Sequence, residues 1–286
     1  MKEIIKKASV LIEALPYIKN FYGKKVVIKF GGSALKFEDV KNSVIEDIVL
    51  MKYVGISPII VHGGGPEINK MLEKLQIKPK FINGFRVTDE RTMEIVEMVL
   101  SGSTNKDLVS RFQKHGVNAV GISGKDANTL ISEQTKMEGH ENSLVGEVIE
   151  VNTKLLDSLI DNNFLPVIAP IGITKDGKSL NINADYAAVS VATAIKAEKL
   201  VFMTDVKGIM KDIDDESTLY NKLSLSEAQS LIENKIVSGG MIPKIQCCMS
   251  AIKKGIPRVH ILDGMVEHSL LLEIFTDEGI GTMFYH

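Results

Sequence analysis

The sequence predicts an α/β fold, a mainly parallel open sheet sandwiched by helices. Short runs of β-forming residues alternate with amphipathic, helix-length segments throughout the 286 residues, and this alternation is typical of a parallel sheet covered by helices. Two of the runs, Lys25–Phe30 and Ser57–Val61, continue directly into glycines and then into a helix. Because the carboxyl ends of parallel strands meet at one edge of a sheet, both glycine turns should lie where ligands bind.

Composition and charge indicate a globular protein without a nucleic-acid or membrane partner. Apolar residues make up 44% of the chain, charged residues make up 24%, and the formal net charge is -2. No stretch approaches the ~20 apolar residues of a membrane span, and charges interrupt the amino terminus where a signal peptide needs an apolar core. We therefore expect a cytoplasmic location. Cys247 and Cys248 are adjacent, without metal-ligand spacing or a disulfide framework, so both should be buried.

The chain divides into three predicted parts. Residues 1–22 form an amphipathic helix that Pro16 should kink, and its full apolar stripe packs either on its own domain or on another subunit. Residues 23–195 form a first lobe and residues 196–286 a second, because the character of the sequence changes near residue 195.

The first glycine turn is a candidate anion site. Lys29 interrupts an apolar strand near its carboxyl end, Gly31 and Gly32 follow, and Ser33 can cap a helix that starts near Phe37. Free N–H groups and the positive end of a helix dipole attract an anion there, and the lysine strengthens that attraction. An ordinary turn with a snorkelling lysine is the alternative.

The second turn, His62–Pro66, repeats this pattern with three consecutive glycines. Two such turns, each at the end of a predicted parallel strand, indicate an anion site more strongly than one. The sequence contains no G-x-x-x-x-G-K-[ST] loop and no G-x-G-x-x-G fingerprint followed by a ribose-binding acid. Their absence argues against a P-loop ATPase and a nicotinamide dehydrogenase.

Three further polar positions stand out. Arg86 follows Gly84 in an extended segment, where it suits bidentate carboxylate binding, although a surface arginine is the alternative. Asp185 lies at a strand-to-helix junction, where it either caps the helix or takes part in a site. Lys244 falls in the first turn of a helix, an unfavourable place for a cation, so an anion compensates it or it points to solvent.

Together the motifs resemble those of the amino acid kinase family, and within it the acetylglutamate kinases. The matching segments are 29–33, 62–66, 83–88, 181–185, 204–208 and 239–244, in order and spacing. The resemblance covers nearly the whole chain, and the Asn-Gly-x-Arg-Val-Thr pattern separates acetylglutamate kinases from carbamate, aspartate and uridylate kinases. It implies a carbamate kinase-like fold and ATP-dependent phosphorylation of the γ-carboxylate of N-acetyl-L-glutamate in arginine synthesis.

The resemblance also implies residue roles. Lys29 and Lys244 hold the transferred phosphoryl from opposite sides, and Asp185 orients both lysines. Acetylglutamate binds in the first lobe, which also dimerises, to Gly64, Gly65, Arg86 and Asn181. ATP binds through Gly31 and Gly32 and in the second lobe at Asp205, Val206, Lys207, Gly208, Ile209, Met210, Ile236, Val237 and Ser238. Mg²⁺ is held through the ATP phosphates, without a dedicated protein metal site.

Two features resemble the arginine-inhibited, hexameric branch of the family. The extra amino-terminal helix implies a homohexamer, a trimer of dimers, and His260, Glu273 and Gly279 match an L-arginine effector site. His260 as a simple core histidine is the alternative. A PII-type signalling protein is a partner of some relatives, and no residue pattern here decides it. The competing functions are a related kinase for another acidic substrate and a catalytically silent arginine sensor.

Overall fold

The computed structural model describes residues 1–35, 37–82, 84–212, 215–237, 241–276 and 279–286. Its helices are α1 (Lys2–Phe21), α2 (Glu38–Tyr53), α3 (Gly65–Lys74), α4 (Glu90–Glu97), α5 (Asn105–Lys114), α6 (Lys154–Asp161), α7 (Ala184–Ala194), α8 (Leu225–Glu233), α9 (Met241–Lys253) and α10 (Ser269–Phe275). None of the helices in these ranges is both long enough and apolar enough to cross a membrane.

The strands are β1 (Lys25–Phe30), β2 (Ser57–His62), β3 (Phe81–Ile82), β4 (Phe85–Arg86), β5 (Ala119–Ser123), β6 (Leu130–Gln134), β7 (Val145–Val151), β8 (Leu165–Ala169), β9 (Ile171–Ile173), β10 (Ser179–Ile182), β11 (Lys199–Thr204), β12 (Lys222–Ser224), β13 (Arg258–Asp263) and β14 (Thr282–Tyr285). In the described residues, the main sheet has eight strands in the order β12-β14-β13-β11-β1-β2-β8-β5. Only the β13–β14 pair in this sheet is antiparallel, so the mainly parallel α/β fold is confirmed.

Strand β1 lies at the centre of the sheet and is buried on both faces. It pairs in parallel with β2 on one side and β11 on the other. Val27 packs into the core that α7 and α9 cover, whereas Val26 and Ile28 pack into the core beneath α2. Helices therefore cover both faces of the sheet. The carboxyl end of β1 lies at the edge of the sheet where its parallel neighbours also end.

A small closed barrel of β10, β7, β6 and β9 lies beside the main sheet. The sequence of residues 130–151 predicts a β-hairpin with turns at Gly139 and Gly146, and Asp176-Gly177 predicts a further turn. The antiparallel β6–β7 pair confirms the hairpin, and Gly177 forms the predicted turn before β10. The expectation that Gly146 forms a turn is wrong, because Gly146 lies within β7. A side chain there would meet Leu180 Cδ1 at 2.6 Å, so close packing rather than chain reversal explains this glycine.

The sequence predicts two separate helices, one near 90–101 and one over 103–115. Instead, α4 continues into α5 through a π-helical segment, Met98–Thr104. Ser101, Gly102 and Ser103 are weak helix formers, and here they widen a turn rather than break the helix. Such segments occur frequently at functional sites. This one places Asn105 at the start of α5 in the fully buried interior.

Helix α1 runs through Pro16 and exposes most of its apolar stripe. The exposed fractions of Val10, Leu11, Ile12 and Leu15 lie between 55% and 73%. Among the described side chains of this helix, Phe21 at its end packs into the core. The stripe is therefore not buried on the described part of its own chain.

Candidate active site

The first glycine turn differs from expectation in its cap. Gly32–Leu35 form a 3-10 turn, and α2 begins only at Glu38 with Phe37 as its N-cap. The expectation that Ser33 caps this helix is wrong, because the 3-10 turn separates the two. Gly32 has a φ of +66°, which favours glycine.

The second glycine turn lies directly beside the first. Gly63 N donates to Phe30 O at 2.8 Å, and a Cβ on Gly31 would approach Gly63 N to 3.0 Å. Helix α3 begins at Gly65 with Pro66 in its first turn, as expected. The two turns form one continuous strip of glycine backbone at the strand ends, and the start of α3 within it suits an anion.

A buried histidine holds the second turn in place. His62 is fully buried, and burial lowers the pKa of its imidazole to about 4. Because Gly63 O can only accept, His62 Nδ1 donates to it at 2.8 Å, and His62 Nε2 accepts from Asn105 Nδ2 at 3.1 Å. Asn105 also donates to Val167 O at 2.9 Å. The neutral imidazole is thus locked in one tautomer behind the glycines.

Lys29 and Asp185 form an ion pair at the end of β1. Their Nζ and Oδ1 atoms lie 2.9 Å apart, and their side chains are 12% and 23% exposed. The alternative role of Asp185 as a helix cap is wrong, because Asn183 is the N-cap of α7 and accepts from Asp185 N at 2.8 Å. The Asp185 side chain is therefore free to face the lysine.

The charge of Lys244 also acts on this carboxylate, across a small cavity that both residues line. Burial favours a higher pKa for Asp185, but the charges of Lys29 and then Lys244 outweigh it and leave the pKa below its ordinary value. Lys244 lies in the first turn of α9 and lines a small cavity with Asp185 and Thr204. An anion therefore compensates the cation at this helix start, and lysines from both halves of the chain converge on it.

Arg86 is buried, so its interpretation as a surface residue is wrong. It is 7% exposed, and its guanidinium carbon lies 4.8 Å from the centre of the Phe81 ring. Nη2 donates to Gly65 O at 3.2 Å, whereas Nη1 has no hydrogen-bond partner in the part of the chain that the structure describes. The β3–β4 hairpin thus presents an unsatisfied cationic donor.

One pocket brings the expected substrate residues together. Gly64, Gly65, Arg86 and Asn181 all line it, as does Gly63. The pocket adjoins Lys29, whose Cε lies 3.4 Å from the Cβ position of Gly31, next to Gly63. The Arg86 guanidinium, the Asn181 amide and the glycine backbone therefore line one space, and Gly63 brings that space close to Lys29.

A larger pocket of about 590 Å³ is lined by residues between Val206 and Met241. Five residues expected at the nucleotide line it: Val206, Gly208, Met210, Ile236 and Val237. Asp205, Lys207 and Ile209 are not among its described lining residues; Ile209 is fully buried, and Lys207 pairs with Glu216. Ser238 lies outside the described residues. The volume is in the range of pockets that hold a nucleotide-sized ligand.

A model of the amino acid kinase family matches residues 24–263. The chain belongs to the amino acid kinase family. Among its relatives, the acetylglutamate kinase of Petrotoga mobilis is 53% identical over 279 residues, 98% of this chain and 93% of the relative. That of Methanocaldococcus jannaschii is 51% identical over 292 residues, 99% and 97% of the two chains. Within the family, this amino acid kinase therefore groups with the acetylglutamate kinases.

Solved structures agree with this assignment. An N-acetylglutamate synthase from Neisseria gonorrhoeae, complexed with coenzyme A and N-acetyl-glutamate, is 28% identical with a TM-score of 0.86, covering 98% of this chain. This chain spans 63% of the length of that synthase. The same synthase complexed with coenzyme A and L-arginine has a TM-score of 0.82. A Giardia carbamate kinase, 17% identical with a TM-score of 0.69 over 92% of this chain and 99% of its own, shares the fold.

The expected effector residues of this amino acid kinase lie at a separate pocket, lined by Tyr17 of α1 as well as by His260, Glu273 and Gly279. Glu273 Oε1 accepts from Lys199 Nζ at 3.1 Å and lies 2.7 Å from His260 Nδ1. Burial lowers the pKa of His260 to about 4, and the Lys199 charge acts in the same direction. Glu273 is therefore the anionic centre of this pocket, with Lys199 as its internal cation.

Proposed function

We propose that this amino acid kinase transfers the γ-phosphoryl group of ATP to the γ-carboxylate of N-acetyl-L-glutamate, giving N-acetyl-L-glutamyl 5-phosphate for arginine synthesis. The observation that carries the proposal is buried Arg86, whose Nη1 has no partner among the described residues, in the pocket that Gly64 and Asn181 also line. A buried donor without a partner is costly until an acceptor binds. A substrate carboxylate fits this position because arginine binds carboxylates through two parallel donors.

The remaining side chains suit transfer to a carboxylate. A γ-carboxylate with a pKa near ~4 is ionised at neutral pH, so it needs no general base. The difficulty is charge repulsion between that carboxylate and the triphosphate. Lys29 and the N–H groups of the two glycine turns stabilise the phosphoryl group in flight, and Lys244 neutralises the leaving β-phosphate. Asp185 holds both lysines in place, as its ion pair with Lys29 supports.

The nucleotide occupies the pocket lined by Val206, Gly208 and Met210, with its phosphates directed to Lys244 and the glycine turns. Two lysines and a strip of backbone donors fit a triphosphate. Mg²⁺ bound to ATP adds further positive charge at the phosphates, and it is held mainly by phosphate oxygens and water. The protein supplies positioning and cationic groups rather than a metal cage.

We further propose L-arginine inhibition and a homohexamer. The pocket of His260, Glu273 and Gly279 offers a buried carboxylate to a cationic ligand, and Tyr17 brings α1 to its rim. The exposed apolar stripe of α1 supports packing against another subunit. The synthase solved with L-arginine has this fold, which also favours such a ligand.

Substrate profiling tests the catalytic proposal. ADP release is measured with N-acetyl-L-glutamate, L-glutamate, L-aspartate and carbamate, and hydroxylamine traps any acyl phosphate as a hydroxamate. We expect ADP release and hydroxamate formation with N-acetyl-L-glutamate and with none of the other three acids. A preference for another acid would reassign the enzyme to a related kinase. If no acid is turned over but L-arginine still binds, the protein would be a catalytically silent arginine sensor.

Arg86→Ala should raise the KM for N-acetyl-L-glutamate by about 100-fold, because a charge-assisted carboxylate contact is lost. The KM for ATP should stay within about twofold, since Arg86 lies in the acetylglutamate pocket. Arg91→Ala, an exposed arginine at the start of α4, is the matched control and should behave as wild type. An effect of Arg86→Ala on the KM for ATP alone would make the carboxylate assignment wrong.

A further inference from the structure

Thr88 lies two residues beyond Arg86, and the catalytic scheme above does not use it. It is completely buried, and all its polar groups are hydrogen-bonded. Thr88 N donates to Ser143 Oγ at 2.9 Å, and Thr88 O accepts from Leu144 N at 2.6 Å. Its hydroxyl donates to Arg86 O at 2.8 Å and accepts from Asn181 Nδ2 at 3.1 Å. Thr88 thus bonds directly to both candidate substrate-binding residues.

The direction of these bonds follows from counting hydrogens. A threonine hydroxyl carries one hydrogen, and Arg86 O, a carbonyl oxygen, can only accept it. The Thr88 oxygen must therefore accept from Asn181, so the amide has to turn its NH₂ end towards Thr88. This leaves Asn181 Oδ1 and the second N–H for a ligand in the pocket that Asn181 lines.

The backbone reinforces this arrangement. Asn181 N donates to Leu144 O at 2.8 Å, and Leu144 N donates to Thr88 O. Asn181 and Thr88 are 93 positions apart in sequence, yet one residue, Leu144, links their backbones while the hydroxyl links their side chains. The spacing between Arg86 and the Asn181 amide is consequently set by Thr88.

We propose that Thr88 is a positioning residue that orients the Asn181 amide for an N-acylated amino acid. The inference rests on the proposed function and specifies its acceptor. On such a substrate the α-carbon carries a carboxylate, which needs donors, and an amide N–H, which needs an acceptor. Arg86 supplies the donors, and Asn181 Oδ1 supplies the acceptor because Thr88 occupies the opposite end of the amide.

Thr88→Val tests the proposal, because it removes the hydroxyl and keeps the shape. The KM for N-acetyl-L-glutamate should rise about tenfold, with kcat and the KM for ATP within about twofold of wild type. Thr88→Ser restores the hydroxyl and should return the KM to within about threefold of the wild-type value. If the valine variant does not fold, Thr88→Ala removes the same hydroxyl without adding a methyl group.

The matched control is Thr129→Val. Thr129 is also completely buried, and its hydroxyl donates to Asp126 O at 2.6 Å, so the variant loses a comparable bond away from the pocket. Its KM for N-acetyl-L-glutamate should not change. A general loss of stability would affect both valine variants, whereas positioning affects only the variant at Thr88.

A double-mutant cycle with Asn181→Ala separates positioning from structural damage. In the Asn181→Ala background, Thr88→Val should raise the KM by less than about twofold, since the amide it orients is gone. Additive effects, or a fall in kcat with an unchanged KM, would overturn the inference. Wild-type protein without turnover of N-acetyl-L-glutamate would instead refute the proposed function, so the two failures are distinguishable.

Discussion

Lys29 is the residue on which the proposed chemistry depends most directly. It reaches Asp185 from the end of a strand buried on both faces, and it lies beside the strip formed by Gly31 and Gly63. A strand end of this kind holds the ammonium group in one place without a flexible loop. This fixed position is what phosphoryl transfer needs, because stabilisation comes from charges that are already in place.

Lys29→Ala should lower kcat by about 100- to 1,000-fold, because one of the two cations around the phosphoryl group is lost. The melting temperature should change little, since Lys244 still faces Asp185. Lys25→Ala is the matched control: it removes an ammonium from the other end of β1, where Lys25 pairs with Asp157 at 3.0 Å. Near-normal turnover of the Lys29 variant, measured by ADP release, would make its catalytic role wrong.

The residues that could be predicted from sequence are those that break a local rule. Lys29 interrupts an apolar strand, and Lys244 places a cation at a helix start, so the local sequence around each is enough to indicate an anion. Asn105, Thr88 and Lys199 break no such rule. Their roles come from partners 43, 93 and 74 positions away, and only the packing of strands and helices brings those partners together.

At the scale of elements, α10 is held against α2 by a buried carboxylate. Asp47 is completely buried in α2, its Oδ2 accepts from Leu270 N at 3.2 Å, and its Oδ1 lies 2.6 Å from His268 Nδ1. Ser43 Oγ accepts from His268 N at 2.8 Å. Side chains of α2 therefore cap the start of the helix that carries Glu273.

Asp47→Asn should destabilise the protein most at acid pH. Burial raises the pKa of Asp47 from 3.8 to about 6. The hydrogen bond between His268 and Asp47 raises the pKa of His268. The folded state thus holds more protons than the unfolded state, so this stabilisation is full at low pH and is lost as pH rises. For Asp47 alone the full loss, from below pH 3.8 to above pH 6, is about 3 kcal/mol.

Urea unfolding of wild type and variant between pH 4.5 and 8 measures this difference. The gap in unfolding free energy should narrow as pH rises, and a gap that is constant or widens would contradict the assignment. Asp39→Asn, an exposed carboxylate at the start of the same helix, is the control and should leave the pH profile unchanged. Burial lowers the pKa values of His62 and His260, so their contribution to folding stability is lost in the opposite direction, as pH falls below 6.5. This contribution is the same in the wild type and in both variants.

Elements were predicted better than the details of their ends. The β1–glycine–helix order was predictable because apolar runs and glycines are local signals. The cap was not, because the 3-10 turn at Gly32–Leu35 delays α2 to Glu38. Gly146 was wrongly predicted to form a turn for a related reason. A glycine is needed there because Leu180 packs closely against it, and that contact cannot be read from the local sequence.

At the scale of the molecule, α1 is the helix whose apolar stripe is not covered by the described part of its own chain. Its central apolar side chains are more than half exposed, while Tyr17 near its end lines the proposed effector pocket. A helix that both projects an apolar stripe and borders a ligand pocket can connect assembly to inhibition. The proposed hexamer and the proposed arginine response should therefore depend on the same segment.

Deleting residues 1–20 should leave a dimer that is active but little inhibited by L-arginine. Light scattering measures the assembly, and ADP release with and without L-arginine measures the response. Leu11→Asp places a charge in the stripe, where Leu11 is 73% exposed, and should also break the ring without unfolding the chain. Asn20→Asp adds the same charge at a polar position of the helix and is the control. A truncated protein that stays hexameric would refute the proposed role of α1.

The contact between Gly31 and Gly63 has a consequence for how this enzyme can change. A methyl group on Gly31 would sit 3.0 Å from Gly63 N and 3.1 Å from its Cα, so neither loop can be widened without displacing the other. A substitution in the first glycine turn is therefore constrained by the second turn. We expect specificity for a different acceptor to arise instead at the β3–β4 hairpin or at the small barrel. An alanine at Gly31 would therefore disturb the backbone next to both of the molecules that react, whereas the Cβ of an alanine at Gly63 would lie an ordinary 3.4 Å from Gly31 Cα.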